Sequence, residues 1–151
     1  MNEPAPTQPV IRRAEPAEYS AVLALYQACG YTSGIREGDI VWMVEMDHQL
    51  VGAARLCCDH QLWVLRGMQV RPDRQRQGIG GKLVDAVLQH LDGQTCYCVP
   101  YAHLRPFYGR FGFTKVRQEN MPPYLAERMT DYRSRGLGVI LMCRAGKQGL
   151  R

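Results

Sequence analysis

The chain has 151 residues, of which 46% are hydrophobic and 22% charged, and a formal net charge of +5. These values are typical of a single globular domain that is large enough to bury its own core. The longest wholly apolar run, 139–143, is too short to cross a bilayer, and the first residues lack the basic and apolar regions of a secretory signal. We therefore expect a cytoplasmic protein with no membrane partner.

The cationic residues are spread over several segments, and no aromatic RNA-binding motif accompanies them. A small polyanionic ligand is therefore favoured over nucleic acid. Five of the six cysteines lie in runs that are typical of strands, and none forms a pair with zinc-type spacing, so we expect buried free thiols and no metal. Residues 1–8 are rich in proline and predict a disordered tail before one domain over residues 9–146.

The first half of the chain predicts a strand, a helix and a meander. Val10–Arg13 has the character of a short strand, and Glu15-Pro16 opens a helix in which Pro occupies a first-turn position. Helical spacing predicts a buried stripe made of Tyr19, Val22, Leu23 and Tyr26. Three apolar runs separated by short polar turns then predict an antiparallel meander: Ile40–Met46, Leu50–Cys57 and Leu62–Val70.

The second half predicts a crossover helix and three further strands. Apolar residues from Leu83 to Leu91 recur at helical spacing after a glycine-rich turn, and Asp92-Gly93 ends this helix. The strand that follows is expected to lie parallel to Leu62–Val70. The remaining predicted elements are strands at 95–99, 113–117 and 138–144, a short helix at 104–110, and a helix within 118–135. The fold class is therefore α+β, with a mixed, mostly antiparallel sheet.

The turn before the crossover helix is the most specific motif. A phosphate loop of the Walker type would need Gly where Arg76 stands and a hydroxyl where Leu83 stands, and a dinucleotide fingerprint would need a third Gly at position 83. What remains is Gln75-x-x-Gly78-x-Gly80, preceded by Val70-x-Pro72. Unpartnered N–H groups and the helix dipole make such a helix start an anion site. The pattern resembles the pyrophosphate-binding motif of the GNAT superfamily, the acyl-CoA-dependent N-acyltransferases.

A second motif lies about thirty residues downstream. Phe107-Tyr108-x-x-x-Gly112-Phe113 resembles the GNAT landmark in which a Tyr precedes the Gly-Phe that begins a strand. The resemblance covers roughly residues 10–144 and implies a sheet with a V-shaped splay that holds acetyl-CoA as cosubstrate. It implies cosubstrate contacts from the strand end, the turn and the aromatic segment, namely Met68, Gln69, Val70, Gln75, Arg76, Gln77, Gly78, Ile79, Gly80, Gly81, Lys82 and Phe107.

The resemblance also implies the chemistry of acetyl transfer to an amine. A backbone N–H near Met68–Val70 would stabilise the oxyanion, with Gly67 marking a bulge that frees these groups from strand pairing. Tyr108 is the predicted general acid for the departing thiolate. Many family members carry a Glu on the strand before the turn, but Leu62–Val70 contains no carboxylate. We therefore predict Glu45 as the base; Asp59, His60 and His103 remain alternatives.

The acceptor is a small-molecule or peptide primary amine whose identity the sequence leaves open. Segments Tyr31–Asp39 and Gln118–Arg135 should line its site, and Glu37 and Asp39 would attract a cationic acceptor, whereas the arginines of the second segment would favour an acidic one. The alternative functions are a catalytically silent acyl-CoA-binding sensor on the same fold and a basic RNA-associated module. A homodimer is also compatible with the sequence.

Overall fold

The computed structural model describes residues 7–147, so most of the tail predicted at residues 1–8 lies outside the described residues. The helices are α1 (Tyr19–Ala28), α2 (Ile79–Leu91), α3 (Arg105–Gly109) and α4 (Pro123–Ser134). The strands are β1 (Val10–Arg13), β2 (Ile40–Met46), β3 (Gln49–Asp59), β4 (Leu62–Val70), β5 (Cys96–Cys98), β6 (Thr114–Lys115) and β7 (Met142–Arg144). Over residues 7–147, no helix is at once apolar and long enough to pass through a bilayer.

The seven strands form one open sheet in the order β1-β2-β3-β4-β5-β7-β6. β1 pairs antiparallel with β2, β2 with β3, and β7 with both β5 and β6, whereas β4 and β5 are parallel. The mixed α+β sheet and the parallel crossover through α2 are thus confirmed. The position of β7 between β5 and β6 is a long-range pairing that the sequence pattern did not predict.

Two tight turns connect the meander strands. Asp47 and His48 between β2 and β3 have φ values of 51° and 62°, and His60 and Gln61 between β3 and β4 have 49° and 66°. Two successive residues with positive φ are the signature of type I′ hairpin turns, which match the twist of the flanking strands. Both predicted hairpins are therefore present, although neither turn contains the glycine that this geometry favours.

The described chain forms two compact units, and the first comprises the part up to Leu56 together with Gly67–Val87. Its core packs α1 against β2 and β3 through buried apolar side chains, including Val22, Leu25, Val41 and Met43. The stripe predicted for α1 was wrong at one position. Leu23 is 40% exposed, whereas Leu25, three residues after Val22 and on the same face of the helix, is buried at 6%.

The second unit comprises Cys57–Arg66 and the part of the chain from Leu88 onward. Its core joins Val64 of β4 to Leu125 and Met129 of α4 and to Leu141 beside β7. α4 confirms the helix expected within 118–135. The last three strands are shorter than predicted because each keeps only the residues that find backbone partners in the sheet.

All six cysteines are free thiols, and their burial differs. Cys57, Cys96 and Cys98 are buried, whereas Cys58 is exposed because adjacent residues of a strand point to opposite faces. The remaining two, Cys29 and Cys143, are partly exposed.

Candidate active site

The turn between β4 and α2 has a backbone shaped by two left-handed residues. Pro72–Arg74 makes a single 3-10 turn, after which Arg76 and Gly78 have φ values of 65° and 79°. The side-chain amide of Gln75 donates a hydrogen bond to the carbonyl oxygen of Val70 at 3.0 Å. This bond ties the turn to the end of β4, so the chain enters α2 along a defined path.

The start of α2 presents unpartnered backbone donors to solvent. The amide of Lys82 donates to the carbonyl of Gly78 at 3.1 Å, so the N–H groups that precede it have no partner within the helix. Gly80 and Gly81 lie in this first turn and have no Cβ to shield those groups. Ile79 is buried and, with Leu83, packs toward Gly52 of β3, which anchors the helix start on the sheet.

The charges around the turn differ in their partners. Arg71 pairs with Asp73 at 3.2 Å, and Arg74 lies 3.7 Å from Asp47. Arg76 and Lys82 are exposed and have no ion pair with any residue of 7–147. These two cations therefore remain available to an anion held at the helix start.

β4 changes its backbone geometry just before the predicted oxyanion donors. Gly67 has φ +62°, and a Cβ at this position would collide with the hydroxyl of Tyr26 and lie 2.9 Å from Nε of Arg55. Only glycine fits here, because both the left-handed backbone and the close neighbours exclude a side chain. The ladder between β4 and β5 pairs Val64 with Tyr97 and Leu65 with Cys98, and β4 continues beyond these residues to Val70.

Arg55 of β3 holds the loop that follows α1. This side chain is only 1% exposed, and its guanidinium donates hydrogen bonds at 3.0 Å to Asp39, 2.8 Å to the Tyr31 hydroxyl and 3.1 Å to the Ser33 hydroxyl. The Arg55–Asp39 pair is buried on both sides. Because three loop residues converge on one guanidinium, the loop 31–39 is fastened to the sheet.

Tyr108 lies on α3 in an apolar environment. It is 6% exposed, and its ring makes edge contacts with Phe107 at 4.9 Å and Phe113 at 5.8 Å between centroids. Burial raises the pKa of the Tyr108 phenol well above its ordinary value, and the neighbouring thiols of Cys98 and Cys96 raise it further. The phenol therefore keeps its proton throughout the physiological pH range.

The structure places the predicted site residues in both units. Met68–Val70, the residues from Gln75 to Lys82, and Glu45 belong to the first unit, whereas Phe107 and Tyr108 belong to the second. The Glu45 carboxylate is paired with Arg12 at 2.9 Å, and Arg12 also binds Glu18. Glu45 is thus part of a surface ion-pair network on β1, β2 and the start of the first helix, and its role as base stays a prediction.

The other candidates for the base also have structural partners. Asp59 is 6% exposed and pairs with Arg66 at 3.2 Å. His60 stacks on Tyr124 at 3.9 Å, and the ring of His103 lies parallel to that of Tyr101 at 6.1 Å between centroids. Each side chain therefore has a local packing role, and none of these contacts singles out one of them as a proton acceptor.

Sequence reasoning missed a polar cluster in the second unit. Arg66 of β4 and Arg128 of α4 both donate hydrogen bonds to the hydroxyl of Tyr132, at 3.2 and 3.1 Å. A charged residue inside an otherwise apolar strand run was the available signal, and it applies to Arg55 and Arg66 alike. The partners of Arg66 on α4 could not be found this way, because they lie more than sixty residues along the chain.

A family model described as an acetyltransferase (GNAT) domain matches residues 37–115, just over half of the chain. The chain belongs to the GNAT acetyltransferase family. The matched region includes β4, the glycine turn, α2 and Tyr108. No curated protein sequence matches the chain.

Solved structures of the same fold cover nearly all of the chain at low sequence identity. N-acetylglutamate synthase from Neisseria gonorrhoeae, complexed with coenzyme A and N-acetyl-glutamate, has a TM-score of 0.70 at 18% identity over 93% of this chain. The chain spans only 36% of that synthase. The ribosomal-protein-S18-alanine N-acetyltransferase from Escherichia coli has a TM-score of 0.69 at 19% identity, covering 95% of this chain and 99% of its own. Rv2747 from Mycobacterium tuberculosis, in complex with CoA and NLQ, has a TM-score of 0.68 at 19% identity over 92% of this chain and 99% of its own.

The GNAT family is one of acyl-CoA-dependent N-acyltransferases. The residues present fit the cosubstrate: the open backbone donors at the α2 start suit a pyrophosphate, with Arg76 and Lys82 beside them. No group of three or more His, Cys, Asp or Glu within 7–147 is arranged to hold a metal ion.

Proposed function

We propose that this protein is an N-acetyltransferase that transfers the acetyl group of acetyl-CoA to a primary amine of a small molecule or peptide by direct attack in a ternary complex. The observation that carries the proposal is the turn at 75–82, where left-handed backbone at Gly78, free helix N–H groups and two unpaired cations coincide. Relatives of the same fold are named for an amino-acid product and for a protein alanine, so both acceptor types are represented.

The first task of the chain is to hold the cosubstrate. In our proposal the α2 start binds the pyrophosphate through backbone N–H groups, and Arg76 and Lys82 add charge at its rim. Met68, Gln69 and Val70 bind the pantetheine arm through their backbone. Acetyl-CoA supplies the activated thioester carbonyl; the residues of the chain supply position and protons.

The second task is to stabilise charge on the carbonyl oxygen as the amine attacks. A fixed backbone N–H is well suited to this, because it needs no reorganisation during the reaction. Gly67 has a left-handed backbone within β4, directly before Met68–Val70, and this local irregularity supports a backbone donor in that segment. The Tyr26 hydroxyl and Arg55 occupy the space that a Cβ at position 67 would need, so they select glycine there.

The third task is proton movement. Tyr108 is proposed to donate a proton to the departing thiolate, and Phe107 to pack beside it. Its raised pKa ensures that it is protonated when needed. The amine must lose a proton before or during attack. Glu45 remains the proposed base, and its release from Arg12 or a bridging water would be required.

An acceptor screen tests the proposal most directly. Purified protein, acetyl-CoA and a panel of primary amines, amino acids and short peptides are incubated, and acetylated products are detected by mass spectrometry. We expect at least one acceptor to be converted with stoichiometric release of CoA. Binding of acetyl-CoA by calorimetry without conversion of any acceptor would contradict catalysis and favour the acyl-CoA sensor, which the lack of a carboxylate on β4 also favours.

A further inference from the structure

Arg66, Arg128, Tyr132 and Asp59 form a polar cluster, called here the arginine cluster, in the second unit. The Tyr132 hydroxyl accepts one hydrogen bond from each arginine, and Arg66 also donates to the Asp59 carboxylate at 3.2 Å. The guanidinium of Arg128 additionally lies over the Tyr132 ring at 5.1 Å. Arg66 is 18% exposed at its side chain, and Arg128 and Tyr132 are partly exposed, so the cluster is open to a solute.

The positive charge of the arginine cluster exceeds its negative charge. Asp59 balances Arg66, but Arg128 has no carboxylate within ion-pair distance among residues 7–147. The Nε atoms of both arginines are buried and have no hydrogen-bond partner in this part of the chain. A partly buried guanidinium without an anion is costly, and a bound carboxylate would lower that cost by accepting charge-assisted hydrogen bonds.

The acidic residues of the other predicted acceptor segment, 31–39, are already neutralised in part. Asp39 is one of the two carboxylates that the sequence offers to a cationic acceptor. It is 9% exposed and forms an ion pair with Arg55. Its charge is therefore not available to a ligand. The sequence favours an acidic and a cationic acceptor equally. The structure favours the acidic one, because the Asp39 charge is already paired.

We propose that the amine acceptor carries a carboxylate, which binds to the arginine cluster through Arg128 and Arg66. The inference rests on the proposed function and names the chemical class of its acceptor: an amino acid or a peptide with a free carboxylate. Tyr132 positions the two guanidinium groups by accepting a hydrogen bond from each.

The cluster also has a simpler explanation, in which it only joins β4 to α4. Burial alone would raise the pKa of Tyr132. The hydrogen bonds from Arg66 and Arg128 outweigh burial and lower this pKa below its ordinary value, so the phenol oxygen interacts favourably with both guanidinium groups. A contact that only packs β4 against α4 would not need the guanidinium of Arg128, which has no carboxylate partner among residues 7–147. The two explanations differ in whether a ligand carboxylate matters.

The test compares free amino acids with their carboxamides, using glutamate, alanine and β-alanine as probes. Binding to the CoA-saturated protein is measured by calorimetry, and product formation is measured separately by mass spectrometry. The variants are Arg128→Gln and, as a matched control on the same helix, Arg133→Gln, whose exposed side chain donates to Gln118 at 3.3 Å. Both variants remove one positive charge from α4.

We expect at least one free acid to bind more tightly than its carboxamide, by roughly 10–100-fold for a charge-assisted contact. Arg128→Gln should abolish this preference without weakening carboxamide binding, and Arg133→Gln should leave it intact. Equal affinity for acids and amides, or a preference that survives Arg128→Gln, would overturn the inference. Preferential binding of the acid without any product would instead refute the proposed transferase and leave the carboxylate site standing.

Discussion

Tyr108, the proposed general acid, is a buried phenol. Its ring packs between aromatic side chains, and its raised pKa keeps the proton on the oxygen. We expect Tyr108→Phe to lower kcat by roughly 10²–10⁴-fold, the range found for lost general acid catalysis, with little change in the KM for acetyl-CoA. Steady-state kinetics checks this. Tyr97→Phe, which removes another partly buried phenol from the same unit, should keep its kcat; an unchanged kcat in Tyr108→Phe would refute the acid role.

The same phenol also predicts how stability depends on pH. The folded pKa of Tyr108 lies above the unfolded value of 10.0, so the stabilisation of the neutral form is complete below pH 10 and is lost as the pH rises toward the folded value. Chemical unfolding of wild type and Tyr108→Phe between pH 8 and 11 measures this. We expect the stability difference between them to be constant below pH 10 and to move in favour of the variant above it. A constant difference over the whole range would contradict the burial effect.

Gly67 combines a backbone conformation and close neighbours that both exclude a side chain. Alanine there would combine a left-handed backbone with a collision at the Tyr26 hydroxyl. We expect Gly67→Ala to lower the free energy of unfolding by roughly 1–3 kcal/mol and to reduce kcat, because the segment Met68–Val70 follows directly. Urea unfolding and kinetics measure the two effects. Gly138→Ala, where a Cβ meets nothing within 4 Å, is the control and should be nearly neutral.

At the scale of the element, the turn before α2 allows the effect of a charge to be tested without a change in backbone conformation. Arg76 has φ +65°, a conformation that glycine adopts without strain, so Arg76→Gly should not destabilise the fold. It should nevertheless weaken CoA binding by roughly two- to tenfold at low salt, because one exposed cation near the pyrophosphate is lost. Calorimetry at two ionic strengths checks this, and the deficit should shrink as salt rises. Arg133→Gln corrects for net charge; equal losses in both variants would contradict a local role.

The elements themselves were largely predictable, and the exceptions have physical causes. Apolar periodicity and turn residues located α1, α2 and the meander strands, because these signals are local. The ends of the sheet were less predictable: β6 has only two residues, since its length is set by pairing with β7 rather than by its own composition. The order β5-β7-β6 likewise depends on a contact between distant parts of the chain.

The candidate site was predictable to the extent that its motifs are local. The glycine turn and the Tyr108 segment are continuous in sequence and were located from residue spacing. The arginine cluster was not, because Arg66 and Tyr132 are 66 residues apart in the sequence. The pairing of Asp39 with Arg55, which removes one charge from the acceptor argument, is hidden for the same reason.

At the scale of the whole molecule, cosubstrate binding should stabilise the fold. A ligand that binds only the folded state at 100 times its Kd adds about 2.7 kcal/mol, which corresponds to a rise of roughly 5–10 °C in Tm for a chain of this size. We expect CoA to give such a rise and pantetheine, which lacks the pyrophosphate, to give a smaller one at the same concentration. Thermal unfolding followed by circular dichroism checks this. Equal shifts would show that the glycine turn contributes nothing to binding.

The two hairpin turns of the meander contain positions at which a substitution is expected to stabilise the fold. His48 and Gln61 are exposed and occupy left-handed positions that glycine would fill at lower steric cost, while Asp47 and His60 keep their contacts with Arg74 and Tyr124. Replacing both by glycine would add up to about 1 kcal/mol per turn. A protein that carries both glycines would tolerate destabilising substitutions in β4 and in the turn before α2 better than the wild type. Glycine at these two positions would therefore raise the stability of the fold without replacing any residue of the candidate site.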